Sequence, residues 1–517
     1  MPDRSLEPSP PAGRVAVIGA GVSGVAAANV WKRCGYEVVV FEASSQVGGQ
    51  WAQTYPGVTL QNSAPQYQFG AFPWPFEPDR HPTGEQVLRY VQAAVEHFGL
   101  DVRLSCPVAS ARRTEGGWEL SFADGVVEAF DYLVVATGQY PGNDKKRVPP
   151  FEGIERFGGA VLTNIDTLDV FDGQRVAVIG FGKTALDFAT WSAERAASTH
   201  HVFRTPRWTI PLSLLGIHYS RPFFARIGSD MMPSWGHGVL HQRLLHRHMG
   251  FVVSGFWSFI AALFRSQHRR DAKLQGVDAS VLDVVLPPAS QFVPDLRSAS
   301  ALAPPRYYEH VAHGGITAHR ATVASFFEGG VELDDGSRIE ADVVCVCCGN
   351  DAPTYPFFSD DIRGLLEDRE GGPALYRHLV HPQIDGLGFS GYNHGFLHIA
   401  LAEVGALWQV AAFQGDLELP TPDEMAASAQ RVAAWKQANS SFESTCNLAV
   451  STRFQQHLDI LMGDLGLSPW RHLPNLPAEL FARYDPTHYA GAVDEYLLAR
   501  GKRRAKGQRQ RVMELDG

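Results

Sequence analysis

The stretch VAVIGFGKTALDFA, residues 176–189, repeats in outline the stretch VAVIGAGVSGVAAA, residues 15–28. Each copy opens on four apolar residues of the kind buried in a parallel sheet and passes at once into a glycine turn. In the first copy Gly19, Gly21 and Gly24 have the spacing of a dinucleotide-binding turn. There one glycine makes the bend, one lets backbone approach a pyrophosphate, and one lets the helix pack against the strand. Val22 and Ser23 lead into a helix expected over residues 25–34, whose free N–H groups and dipole favour phosphate. In the second copy Gly180 and Gly182 are followed by Lys183 and Thr184, and Ala185 takes the place of the third glycine, a replacement the pattern tolerates. A helix is expected over residues 186–195.

The two copies end differently. A strand at residues 37–41 follows the first turn and closes on Glu42, whereas HHVFRTPRW follows the second and closes on Arg204, Thr205 and Arg207. A carboxylate accepts hydrogen bonds from ribose hydroxyls and repels a 2′-phosphate; a guanidinium grips that phosphate in bidentate fashion. The first cradle is therefore expected to take FAD and the second NADPH. Two dinucleotides in one chain suit a relay of hydride from nicotinamide to flavin.

The composition agrees with a large soluble enzyme. The chain has 517 residues, 45% hydrophobic and 19% charged, enough for several domains. A net charge of −10 argues against nucleic-acid binding as its business. Six cysteines are too few for a disulfide framework in a chain this long, so a reducing, cytoplasmic setting is expected. Residues 1–13, MPDRSLEPSPPAG, read as a loose lead-in without the basic start and apolar centre of a signal peptide. The basic run ARGKRRAKGQRQR near the other end reads as solvated.

Further motifs resemble those of the flavin-containing monooxygenases and their Baeyer–Villiger relatives. FEASSQVGGQW, with Glu42, Gly48, Gly49, Gln50 and Trp51, is similar to that family's flavin-binding segment, and TYPGVTLQNSAPQYQFGAFPWP to the stretch that crosses the flavin. YLVVATGQYPGNDKKRVPPFEG, with Ala136, Thr137 and Gly138, resembles the crossover between domains; in GVELDDGSRIEADVVCVCCGN, Cys347, Cys348 and Gly349 stand where the return crossover has Ala-Thr-Gly. The resemblance implies an α/β fold with two Rossmann-like domains, the NADPH domain inserted into a discontinuous FAD domain. The expected division is 14–165 and 325–517 for FAD, and 166–324 for NADPH with an aromatic, histidine-rich insertion at about 211–305. It implies flavin contacts from Gln61, Asn62 and Val108, and Asn62 as the catalytic residue that supports a flavin C4a-hydroperoxide. The reaction implied is oxygenation, with NADPH and molecular oxygen, of a small apolar or aromatic molecule at an amine or heteroaromatic nitrogen or a sulfide.

Two departures bear on that expectation. Thr163 stands where the family's identifying motif has a histidine, and Gln61 stands where Baeyer–Villiger enzymes carry an aspartate. Gln61 beside Asn62 favours heteroatom oxygenation; conversion of a ketone to an ester or lactone is the alternative. A disulfide reductase would need a cysteine pair soon after the first turn or a Cys-x-x-Cys in the NADPH domain, and the sequence has neither. A flavoprotein that only binds nucleotides is a third reading.

The remaining signals are weaker. Tyr67, Phe69, Phe72, Trp74 and Phe76 suit either a water-excluding wall or ordinary core. Residues 249–264, MGFVVSGFWSFIAALF, are expected to form a roof helix over the substrate tunnel in preference to a membrane contact. His237, His241, His246 and His248 lack the spacing of a metal site, so no metal is expected. Cys345 and Cys348 would point to opposite faces of a strand and are expected to pack as small apolar groups. The strand–turn–helix over 386–413 is expected to present Tyr392 and Asn393 to the flavin, with His394 and His398 as pocket histidines.

Overall fold

A computed structural model describes residues 12–139, 147–232, 240–274, 276–298, 301–302, 304, 306–367, 371–440 and 446–513. Almost all of the lead-in, and His237 with it, lies outside the described residues.

Both apolar runs are central strands of five-stranded parallel sheets. In the first sheet Arg14–Ile18 lies between Glu37–Phe41 and Tyr132–Val135, flanked in turn by Asp101–Arg103 and Leu387–Phe389. In the second, Arg175–Ile179 lies between Ser198–Val202 and Val343–Val346, flanked by Thr317–His319 and Ala160–Leu162. All-parallel pairing needs strands buried on both faces, and both central strands show it: Val15, Ala16, Val17, Val176, Ala177 and Val178 are fully buried. The second sheet draws two of its strands, Ala160–Leu162 and Val343–Val346, from outside residues 166–324. Ala160–Leu162 carries no nucleotide motif that would mark it, whereas Val343–Val346 belongs to the return-crossover stretch.

The helices after the turns start earlier than expected, at Val22–Arg33 and Lys183–Arg195. Their first turns contain the residues that follow the second glycine, which a sequence pattern keyed on apolar periodicity places outside the helix. The first helix packs through Ala27, Ala28 and Trp31 against His398–Phe413, which is buried along almost its whole length.

Among the described residues the insertion has no core of its own. Trp208, Tyr219, Phe224, Trp257 and Phe292 share one hydrophobic cluster with Leu401, Phe454 and Leu458 of the first domain, while Ala272, Leu282 and Val285 join the core of the second. The helix Gly250–Leu274 buries Val253, Trp257, Ala261 and Phe264 and leaves Phe251 and Phe259 77% and 63% exposed, so it is a half-buried support and not an enclosed roof. No single helix among the described residues is long and apolar enough to cross a membrane.

Arg226 locks the insertion to the C-terminal helices. It is fully buried, its guanidinium pairs with Glu479 and, at 2.6 Å, with Asp459, and it donates to Pro469 O at 2.9 Å and Tyr484 Oη at 3.2 Å. Removing one partner of such a cluster leaves uncompensated buried charge. Arg226→Ala should lower unfolding stability by about 3–5 kcal/mol, read from denaturant midpoints, and adding Glu479→Gln should recover part of the loss. Wild-type midpoints in the single variant would show that the cluster contributes nothing.

Candidate nucleotide cradles

The first glycine turn opens onto a cleft of about 490 Å³. Gly19, Gly21, Val22, Ser23, Glu42, Gly49, Gln50, Trp51, Val108, Ala136, Thr137 and Gly138 all line it. Gly19 has φ +108°, and a Cβ there would lie 2.6 Å from Ala136 O, so only glycine fits. Gly24 stands off the cleft, where a Cβ would meet Gly19 O at 1.9 Å, and its task is to let helix and strand touch.

Glu42 is buried, with Oε2 accepting Ala20 N at 2.7 Å and Oε1 accepting Ser44 N at 2.9 Å. Each oxygen keeps a second lone pair for a ribose hydroxyl. Ser44, Cys106 and Gln139 also line the cleft. The loop before Val108 is clasped to this chain by Ser105 N to Ser44 O and Cys106 N to Glu42 O, both 2.8 Å. Nothing in the sequence marks that clasp, because it joins segments far apart along the chain.

The far wall is made of Trp51, Tyr67 and His398. Trp51 Nε1 donates to Tyr67 Oη at 3.0 Å, Tyr67 stacks on His398, and His398 Nε2 lies 2.9 Å from Ser23 Oγ. His394 and His398 line the cleft with Gly391. His398 Nδ1 is buried with no hydrogen-bond partner among the described residues, which is a polar group left for a ligand. The other aromatics of the run are core: Phe72 and Trp74 stack on Tyr90, and Phe69 packs beside them.

Tyr392 and Asn393 do not reach the cleft. Tyr392 is fully buried beneath the crossover, its hydroxyl 3.4 Å from Thr137 Oγ1 and Gly138 O, and burial pushes it up to about 12. Asn393 is buried and donates to Leu401 O at 2.9 Å, bracing the start of the following helix. Gln61 and Asn62 also lie off the cleft lining. Gln61 Oε1 accepts Leu302 N at 2.7 Å, its carbonyl accepts the Tyr219 hydroxyl, and Asn62 Nδ2 donates to Phe396 O.

The second cradle repeats the first. Gly180 has φ +122°, and a Cβ would lie 2.3 Å from Cys347 O; Ala185 is fully buried against the strand. A Cβ at Gly182 would meet nothing within 4 Å, so the mouth of the turn is open. Lys183 lies on Asp187, which also accepts Tyr55 Oη at 3.0 Å, and Thr184 bonds the same tyrosine. Arg204 is exposed just past the strand end, with Thr205 half-buried beside it. Burial raises the Cys348 thiol while Arg147 and Arg204 pull it the other way, which places both guanidinium groups at this end of the sheet. Arg147 lies in the crossover stretch but is not among the residues singled out there; its backbone N–H donates to Gly349 O at 3.0 Å.

Arg207 has a partner in the insertion. Its guanidinium pairs at 3.2 Å with Asp295, a buried carboxylate that also accepts Trp208 N at 2.8 Å. Arg207 thus ties the strand exit to the insertion, a partner 88 residues on that local sequence does not reveal. No group of three or more His, Cys, Asp or Glu residues that could hold a metal occurs among the described residues.

Comparisons agree with this geometry. The family model for pyridine nucleotide-disulphide oxidoreductases matches residues 16–214. A probable flavin-containing monooxygenase of Arabidopsis thaliana is 29% identical over 535 residues, covering 93% of this chain and 97% of its own. Among solved structures, an S-allyl-L-cysteine S-oxygenase from Allium sativum has a TM-score of 0.61 at 19% identity, covering 94% of this chain and 99% of its own. An ε-caprolactone-bound cyclohexanone monooxygenase has a TM-score of 0.64 at 17% identity, covering 96% and 99%.

The buried histidines give the site a pH signature. Burial drives His394 down to about 4, and burial with His394 nearby holds His398 well below its ordinary value. Both are neutral in the folded protein at pH 7, while the unfolded chain takes up their protons near pH 6.5. Their contribution to stability is therefore complete above about pH 6.5 and is lost as pH falls toward 4. The melting temperature should be flat from pH 8 to 7 and decline below 6.5, a decline shared with the buried His201, His268 and His457; His394→Asn should make it shallower, and an unchanged slope would mean that water reaches that ring.

The chain is a homologue of the flavin-containing monooxygenases and has the two-cradle fold of the FAD- and NADP-binding monooxygenases.

Proposed function

We propose that the protein uses NADPH and molecular oxygen to oxygenate a soft nucleophile, an amine or heteroaromatic nitrogen or a sulfide, on a small apolar or aromatic molecule. The observation that carries this reading is the contrast between the two cradles: a buried carboxylate, Glu42, closes one, and an exposed guanidinium, Arg204, closes the other. FAD in the first cradle would lie along Gly19–Gly24, Glu42, the Gly49–Trp51 turn and Thr137–Gly138. NADPH in the second would lie along Gly180–Lys183 with its 2′-phosphate toward Arg204. Bound flavin supplies the redox chemistry, accepting hydride from nicotinamide and passing electrons to oxygen.

The chain's own residues bind, orient and keep water out. Trp51, Tyr67 and His398 line one wall, where Trp51 donates to the Tyr67 hydroxyl, Tyr67 stacks on His398 and His398 Nε2 meets Ser23. Asn62 has committed one amide hydrogen to Phe396 O and keeps a second, with the amide oxygen, to steady the oxygenating cofactor. Gln61 supports heteroatom chemistry over ketone insertion. It is neutral where a carboxylate would be needed, and its side-chain oxygen already accepts Leu302 N.

Arg204→Gln removes one charge-assisted contact and should cost about 1.5–3 kcal/mol, raising the KM for NADPH roughly 10- to 150-fold while leaving NADH nearly unchanged. Equal effects on both cofactors would exclude Arg204 from phosphate recognition. Asn62→Ala should increase the share of consumed NADPH that ends as hydrogen peroxide, with flavin content unaltered. Unchanged coupling would remove Asn62 from catalysis. Product mass spectrometry over amines, N-heteroaromatics, sulfides and ketones tests the substrate class, and an ester or lactone as sole product would overturn it.

A further inference from the structure

Leu60, Gln61 and Asn62 are gripped from three sides. Leu60 O accepts His81 Nδ1 at 3.1 Å, and Leu60 N donates to Pro82 O at 2.8 Å. The insertion holds Gln61 through the Tyr219 hydroxyl on its carbonyl and Leu302 N on its side chain. Phe396 O, at the approach to the helix His398–Phe413, holds the Asn62 amide. The orientation of Asn62 is thus set by contacts from three separate parts of the chain.

The hold from the insertion side runs through a histidine pair. His81 Nε2 and His218 Nε2 are 3.2 Å apart, and His81 stacks on Tyr219. His218 Nδ1 lies 2.8 Å from Ser220 Oγ and 3.3 Å from Ser220 N. These partners fix both tautomers. A carbonyl only accepts, so His81 Nδ1 carries the hydrogen that meets Leu60 O, and its Nε2 is bare. A backbone N–H only donates, so His218 Nδ1 is bare and its hydrogen sits on Nε2, aimed at His81. The pair is satisfied only when both rings are neutral, since a proton added to His81 Nε2 would face the N–H of His218. The charged groups that face the pair are Arg80, from the loop of His81, and Arg483, from the C-terminal segment, both cations.

We infer that His81, His218 and Tyr219 are positioning residues, a latch through which the insertion holds the 60–62 loop and thereby aims the Asn62 amide; its catalytic meaning rests on the reading of Asn62 given above. Burial lowers His81, and burial, Arg80, His81 and Arg483 bring His218 down to about 4. Proton affinity is weakened in the closed latch, so closure is complete above the ordinary histidine range near 6.5 and is lost as pH falls below it.

The test is hydrogen exchange of peptides spanning residues 58–64 in the full-length, flavin-loaded protein from pH 8 to 5, corrected for intrinsic rates. The hydrogen peroxide released per NADPH is measured on the same samples. Wild-type protection should hold above pH 6.5 and fall by at least about tenfold by pH 5. His218→Gln keeps a donor toward His81 but cannot itself take a proton, and should flatten that dependence. Tyr219→Phe should lose protection at every pH. Wild-type protection that does not respond to pH, or a His218→Gln profile identical to wild type, overturns the latch. The wild-type profile alone decides if a variant fails to fold. If protection behaves as stated but peroxide release does not follow it, the latch stands and the catalytic reading of Asn62 falls.

Discussion

Both cradles depend on one steric constraint: a backbone carbonyl just past the end of a neighbouring parallel strand lies where the lead glycine of the turn would carry a side chain. Ala136 O occupies that place against Gly19 and Cys347 O against Gly180. The hydrogen bonds around the two turns are the same. Gly19 N donates to Phe41 O and Gly180 N to Val202 O, at 2.8 and 2.9 Å, while Ala136 N donates to Ile18 O and Cys347 N to Ile179 O, at 2.9 and 2.8 Å. Three strand ends are thereby tied to one turn, and the helix N-terminus is delivered to the mouth between them. The constraint is made by backbone alone. That is why Cys347 can stand where Ala136 stands in the other copy.

Since the frames are equivalent, they cannot choose between nucleotides. The choice falls to the side chains that close each cradle, and these are held in different ways. Glu42 is buried and aligned by two backbone N–H groups, so its charge is fixed in place. Arg204 is exposed, and an exposed guanidinium gains little until a phosphate arrives to take two of its hydrogens. A permanently bound cofactor suits the first arrangement and a cofactor that comes and goes suits the second.

The parts of the molecule that local residue types determine were legible in the sequence. Glycine spacing, apolar strands and the Glu42–Arg204 contrast are properties of a few adjacent residues, and the first cradle is lined by the residues they mark. The failures share a cause. Arg207 has the right charge at the right offset, and its pairing with Asp295 could not be foreseen; Tyr392 and Asn393 follow a promising strand, yet both are buried. The aromatic run after Asn62 divides, with Tyr67 on the cleft and Phe72 and Trp74 stacked on Tyr90. Each outcome is settled by a partner brought near only by folding, as are the Ser44 and Cys106 contacts and the placement of Arg147.

The joint between the two domains follows the same logic. Tyr55 leaves the first domain to sit in the hydrophobic core of the second, with its hydroxyl on Asp187, and the nearby Gly57 packs where a Cβ would lie 3.0 Å from Trp191. A few residues later the chain passes His81 and Tyr219 and then reaches Phe396. The segment from Tyr55 to Asn62 is thus anchored first to the second domain, then to the insertion, then to the returning half of the first domain. An amide held by a single neighbour could rotate with that neighbour, but one set by this succession of anchors is oriented only when all the pieces are docked. Assembly of the domains and orientation of Asn62 are consequently one event, and a displacement at any anchor is felt at the amide.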